Sequence, residues 1–198
     1  MDANTSTETA TALPAAEVER GRLYLRQTTD YAIGATQGLS DAQWRFKPAP
    51  DRWSIAEIVE HIVTVQELVL GPLRQQLASA PPSGEHDYER VDRMVVTQIP
   101  NRLEKYPSPA TVQPAGQWPP DVASVRLLAN FARLTEYLES TPDLREHSLA
   151  AAPLKAVSKG EFEFMDGYQW ILATAAHTER HTKQILEVRA QANFPIPW

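Results

Sequence analysis

The sequence predicts an all-α protein, an antiparallel or mixed four-helix bundle with one long Pro-rich loop between its second and third helices. Four separate stretches of about 20 residues carry apolar side chains at helical spacing, each long enough to give one wall of a shared core. Strand-like alternation is confined to Glu161-Phe162-Glu163-Phe164, and no fixed-period repeat suggests a solenoid. A chain of 198 residues with 42% hydrophobic and 22% charged content can close one core, so a single domain is expected over 14–198. The polar, Thr-rich stretch 1–13 has no basic or apolar leader region and is expected to be a disordered tail.

The first helix is expected from Pro14 to about Leu39, with Val18, Leu25, Ala32 and Leu39 recurring every seven residues. Pro14 suits a first-turn position and Gly38 a stop. The connector from Ser40 to Trp53 carries Trp44, Phe46 and Trp53, which should pin it against the bundle end. Ser54-Ile55-Ala56-Glu57 is a capping-box pattern, and Trp53 with Ile58 fills the places of a hydrophobic staple. The second helix then runs from about Ile55 to Leu77. Ile58, Ile62, Val65, Leu68 and Val69 line one side of it, and Glu60, Thr64 and Glu67 fall on the other.

Between Pro81 and Pro120 the prolines forbid any long regular element beyond Ile99, and Asp87 to Val96 is expected to hold a helical turn or two. A loop of this length is expected either to cover the bundle mouth or to act as a clasp that buries Ile99 and Trp118. The third helix is expected from Asp121 to Thr141, on a stripe of Leu127, Phe131, Leu134 and Leu138. Residues 142–160 read as irregular, and 161–164 as an extended approach to the last helix. That helix spans Gly167 to Ala190. Trp170, Ile171, Thr174, Ile185 and Val188 share one side, with Gln169, Arg180, Lys183 and Glu187 roughly opposite.

The chemistry concentrates on histidine. His177 and His181, four apart on a helix, lie about 40° apart around the axis, on its apolar side. His61 falls among Ile58, Ile62 and Val65 on the second helix. Three neutral imidazoles from facing helices can hold a divalent cation (Zn²⁺, Ni²⁺, Fe²⁺ or Mn²⁺) and leave a position open; three core histidines satisfied by hydrogen bonds would give the same pattern. Glu57, one turn before His61, is a candidate fourth ligand or nearby base, although the capping box accounts for it without chemistry. His86 and His147 lie in polar loops and are expected to be solvated.

Other function classes are argued against. A net charge of −6 with no Lys/Arg cluster speaks against nucleic acid, and no apolar run reaches the ~20 residues of a membrane span. The absence of cysteine removes disulfides, thiolate nucleophiles and Cys-based zinc sites, and fits a cytoplasmic address. Eight glycines form no phosphate-binding loop.

Trp53-Ser54-Ile55-Ala56-Glu57-Ile58-Val59-Glu60-His61, led by Lys47-Pro48-Ala49-Pro50, resembles the second-helix signature of the DinB-like superfamily, the DinB/YfiT-like metalloenzymes. His177-x-x-x-His181-x-x-Gln184-Ile185 resembles its last-helix signature, and Pro109 to Trp118 its proline-bearing loop. The resemblance spans about residues 15–191. It implies an up-down-down-up bundle, usually a homodimer, with a divalent metal on His61, His177 and His181 and a small-molecule substrate. It implies, first, a thiol-dependent transferase or isomerase whose low-molecular-weight thiol supplies the thiolate that the chain lacks. A metal-dependent hydrolase using a metal-bound water is the alternative. A non-catalytic metal- or ligand-binding stress protein is a third, favoured if a fixed carboxylate saturates the metal.

Overall fold

The structure, a computed structural model, describes residues 12–84, 87–104 and 106–196. Its eight helices, among the described residues, are α1 (Ala15–Thr36), α2 (Asp41–Arg45), α3 (Ile55–Leu68), α4 (Arg74–Leu77), α5 (Tyr88–Gln98), α6 (Pro120–Ser140), α7 (Ala152–Val157) and α8 (Gly167–Arg189). A short antiparallel ladder, β1 (Ser148–Ala150) with β2 (Phe164–Asp166), pairs Leu149 with Met165. No described helix is long and apolar enough to cross a membrane.

Helices α1, α3, α6 and α8 form the bundle, and particular contacts fix their directions. Tyr168 Oη donates to the Glu17 carbonyl (2.8 Å) at one end, and Arg189 Nη1 to the Ala35 carbonyl (2.7 Å) at the other, so α1 and α8 run parallel. Gly21, near the start of α1, lies against Leu138, near the end of α6, which makes that pair antiparallel. The early part of α3 shares a core cluster with Ala123 and Leu127, while Val69 and Leu70 beyond it join Leu134 and Leu138; α3 and α6 are therefore parallel. The order is up-down-down-up, as the family resemblance implies. α1 and α3 occupy opposite corners, each between α6 and α8.

Ser54 caps α3 as expected: its hydroxyl accepts the Glu57 amide (3.3 Å) and Glu57 Oε2 accepts the Ser54 amide (2.7 Å). The helix continues to Leu77 through a π-helical turn, Val69–Leu73, that contains Pro72. Proline lacks an amide hydrogen, so the widened turn absorbs the missing hydrogen bond without ending the helix. Past the turn Leu77 is buried, whereas Leu68, expected on the core stripe, is exposed.

The segment expected to hold a turn or two is a full helix of 11 residues, α5, capped by Asp87 and packed on α8. Burial of Val91, Val95 and Ile99 against Ile171 and Ala175 stabilises it, a tertiary contribution that local composition does not reveal. Residues 142–160 are likewise more regular than expected, holding β1 and α7. Of the expected tail, residues 1–11 lie outside the described residues, and the Leu13 amide donates to the Pro142 carbonyl (2.9 Å).

Arg145 ties these added pieces to the bundle. Its guanidinium bonds Glu17 of α1 (2.8 Å), Asp92 of α5 (2.7 Å) and Asp166 at the start of α8 (2.8 Å), and it lies over the rings of Tyr88 and Tyr168. Burial pushes the Asp166 carboxyl up to about 6 against the pull of Arg145, whose own charge is stabilised, despite burial, by Asp92 and Asp166. Lysine cannot reproduce this planar fork, and Arg145→Lys is expected to lower stability by about 2 kcal/mol in urea unfolding. An unchanged midpoint would show that the three carboxylates do not depend on it.

Candidate metal centre

The three predicted histidines meet. His61 projects from α3, and His177 and His181 project from α8, where one helical turn separates them. Ring centroids lie 4.9 Å apart for His61–His177, 4.6 Å for His61–His181 and 4.3 Å for His177–His181. One potential ligand atom from each falls within 4.8 Å of the others. Among the described residues this convergent group contains no carboxylate.

Two of the rings are oriented from behind. His61 Nδ1 bonds the Val112 carbonyl (2.6 Å), and His181 Nδ1 bonds Gln184 Oε1 (2.8 Å). A carbonyl oxygen only accepts, so each Nδ1 carries the hydrogen in the paired state and each Nε2 is left with a lone pair. Gln184 is itself held by Arg102 (3.4 Å), which pairs with Glu187 (2.6 Å). Trp53 closes one side, with its ring 4.9 Å from that of His61 and 6.3 Å from that of His181.

The electrostatics keep the rings neutral. Burial lowers the His61 pKa, opposed only by the Val112 bond. Burial, and then the field of His61, bring His181 down to about 3. Burial, followed by the neighbouring imidazoles, holds His177 well below the ordinary histidine value. Neutral imidazole is the form that ligates metal.

His177 bears directly on whether a cation fits. Its Nε2 is 3.1 Å from His61 Nε2, and its buried Nδ1 has no hydrogen-bond partner. If the His177 proton sits on Nε2 to serve His61, Nδ1 is a buried acceptor without a donor; if it sits on Nδ1, two Nε2 lone pairs face each other. Neither tautomer completes the network. Tetrahedral ligands about 2.1 Å from one ion lie roughly 3.4 Å apart. The His61 and His177 Nε2 atoms are 3.1 Å apart and all three donors lie within 4.8 Å of one another, so a divalent cation fits this donor set after a small inward shift of the rings.

Glu57 is absent from the group: Lys47 (2.8 Å) and the Ser54 amide take its oxygens, and together they outweigh burial and keep its carboxyl below the usual value. His147, expected in solvent, is half-buried, with Nδ1 bonded to the Ala80 carbonyl (2.7 Å), far from the cluster in sequence and absent from it. His86 lies outside the described residues.

The long loop covers the histidines and clasps the bundle. Val112 reaches His61, and Trp118 lies beneath the Arg126 guanidinium (4.4 Å). Arg180 donates to the carbonyls of Ile99, Asn101 and Glu104, and Lys183 to that of Pro100 (3.4 Å). Arg180 and Gln169 were expected on the polar face of α8, but both are buried, because α5 and residues 99–104 cover that face. Glu60, also expected outside, is 2% exposed and reaches the same loop. Its sequence signal was an acid beside His61 within the run Ile58-Val59-Glu60-His61-Ile62-Val63, whose other members are apolar.

A family model described as the DinB superfamily matches residues 24–185. The chain is similar to YuaE of Bacillus subtilis (strain 168), described as uncharacterized, at 23% identity over 154 residues, 77% of this chain and 87% of that protein. Its fold is similar to that of YfiT from Bacillus subtilis, described as a probable metal-dependent hydrolase with an unusual four-helix bundle topology. That match has a TM-score of 0.57 at 12% identity and covers 89% of this chain and 88% of the other.

Proposed function

The chain belongs to the DinB superfamily, and on that premise we propose that it is a metal-dependent enzyme acting on a small molecule, with a divalent cation held by His61, His177 and His181. The observation that carries this reading is the convergence of three neutral imidazoles, with the Nε2 atoms of His61 and His177 facing each other at 3.1 Å, where a cation between them takes up both lone pairs. When bound, the cation supplies Lewis acidity and lowers the pKa of a water or thiol that ligates it. The chain itself orients the ligand rings through Val112 and Gln184, keeps them neutral by burial, and walls the site with Trp53.

The chain has no cysteine, so a thiolate nucleophile has to come from solution, as does a water. Water is the choice supported by the description of YfiT, and makes the protein a hydrolase. A low-molecular-weight thiol, giving a transferase or isomerase, is supported by a different observation: among the described residues no carboxylate joins the convergent group, Glu57 and Glu60 of α3 being held by Lys47 and by loop amides, and a thiol needs far less help than water to ionise. Among the described residues the convergent group has no carboxylate, which speaks against a saturated, non-catalytic metal binder.

Protein purified without a histidine tag is expected to hold close to one equivalent of Zn²⁺, Ni²⁺, Fe²⁺ or Mn²⁺ by elemental analysis. Turnover on a panel of esters and amides, or of electrophiles with thiols, should be lost with chelator and restored by metal. Thiol-dependent turnover selects the transferase, and thiol-independent turnover the hydrolase. Failure of the folded chain to bind any of the four metals at micromolar concentration would sink the proposal.

A further inference from the structure

Glu60 precedes His61 on α3, and its carboxylate is buried against the covering loop. Its partners are three consecutive backbone amides of the covering loop. Ala115 N lies 2.9 Å and Gln117 N 3.1 Å from Oε1, and Gly116 N lies 3.0 Å from Oε2. Consecutive amides turn toward one point when a residue takes the left-handed conformation, and Gly116, at φ +71°, does so. The loop thus presents an anion-binding nest, and the anion is a side chain of the helix that carries the first ligand.

Three residues before that nest, the loop delivers the Val112 carbonyl to His61 Nδ1 (2.6 Å). Val112 itself is held in a 3₁₀ turn, Ala110–Val112, where its amide N–H donates to the Pro109 carbonyl (3.1 Å). Adjacent residues of α3 therefore grip the same loop segment for different purposes. Glu60 anchors it, and His61 takes its orientation from it.

We infer that Glu60 is a positioning residue of the metal centre: by holding residues 115–117 in its nest, it places the Val112 carbonyl that fixes the tautomer and rotation of the His61 ring. The inference rests on the three-histidine reading for its metal consequence, and on the hydrogen bonds alone for its effect on His61.

The test uses the full chain with Glu60→Gln, Glu60→Ala and Gly116→Ala, and Glu136→Gln, at an exposed position of α6, as a charge-matched control. In metal-free protein, imidazole ¹H–¹⁵N correlation spectra report the His61 tautomer. Wild type and the control should show a slowly exchanging Nδ1–H. Glu60→Ala should lose it, and Glu60→Gln, which retains one carbonyl oxygen for the nest, should fall between. Titration with Co²⁺, read by its visible absorption, should show affinity reduced by about 10–100-fold in Glu60→Ala, the loss usual when the hydrogen-bond partner of a ligand is removed. A folded Glu60→Ala protein with the wild-type His61 proton and a Co²⁺ affinity within twofold of wild type overturns the inference. If Glu60→Ala does not fold, the other two variants carry the same comparison, and His61 spectra unchanged in both overturn it equally. Failure of wild type to bind Co²⁺ would instead remove the metal reading, and the tautomer spectra would still decide the role of Glu60.

Discussion

Replacement of His177 with alanine is expected to abolish stoichiometric metal binding while leaving the bundle folded. Loss of a hydrogen-bond partner behind a ligand already costs about 10–100-fold in affinity, and removal of one of three ligands should cost on the order of a hundredfold or more. The stability change should be small for a buried ring. Truncation forfeits packing worth about 1–3 kcal/mol. It also removes a buried Nδ1 without a partner, whose desolvation costs a similar amount. Equilibrium dialysis with elemental analysis, beside urea unfolding of the metal-free protein, measures both quantities. Full metal content in the variant would mean that the three-histidine centre is wrong.

Acid should destabilise the metal-free protein steeply, starting near pH 6.5. Unfolded histidines titrate near ~6.5, while burial lowers His61 and His177 and brings His181 to about 3. Below pH 6.5 the unfolded chain therefore binds protons that the folded chain refuses. The contribution is complete above the unfolded value and is lost as pH falls, with a slope approaching about 1.4 kcal/mol per pH unit for each histidine. Asp166 acts in the opposite sense. Its folded carboxyl, raised to about 6, takes up a proton before the unfolded one does and offsets roughly one of the three. Urea midpoints from pH 7.5 to 4.5 should fall accordingly, and a triple variant, His61, His177 and His181 each to Gln, should lose most of that dependence. An equal slope in the triple variant would place the acid sensitivity elsewhere.

What the sequence revealed and what it hid have separate physical causes. Helical phase alone put His61 among Ile58 and Ile62, and put His177 with His181, because apolar neighbours mark the inward side of a helix. The Ser54–Glu57 box was equally legible, since both partners lie within one turn. Glu60, Gln169 and Arg180 were assigned outward because a charged or amide side chain on the far side of a bundle helix ordinarily meets water. Here α5 and the loop cover those faces, and the burial is satisfied by distant partners: backbone amides for Glu60, Asp92 for Gln169, and loop carbonyls for Arg180. Backbone groups leave no mark on residue identity. The same holds for Val112, whose carbonyl orients His61 and whose side chain is irrelevant to that bond. The π-helical turn around Pro72 was invisible for a related reason, because proline in a helical pattern signals a break unless the turn can widen.

The diagonal placement of α1 and α3, with the centre built between α3 and α8, has a kinetic consequence. His61 and His177 are separated by 116 positions along the chain. No early hairpin can bring them together, and the closure entropy must be met by the core before the site exists. A cation therefore finds at most the His177–His181 pair before docking and gains its third ligand, His61, only after α8 has packed against α3. Interactions absent from the transition state act on the unfolding limb, so metal should leave the refolding rate unchanged and lengthen the lifetime of the native state.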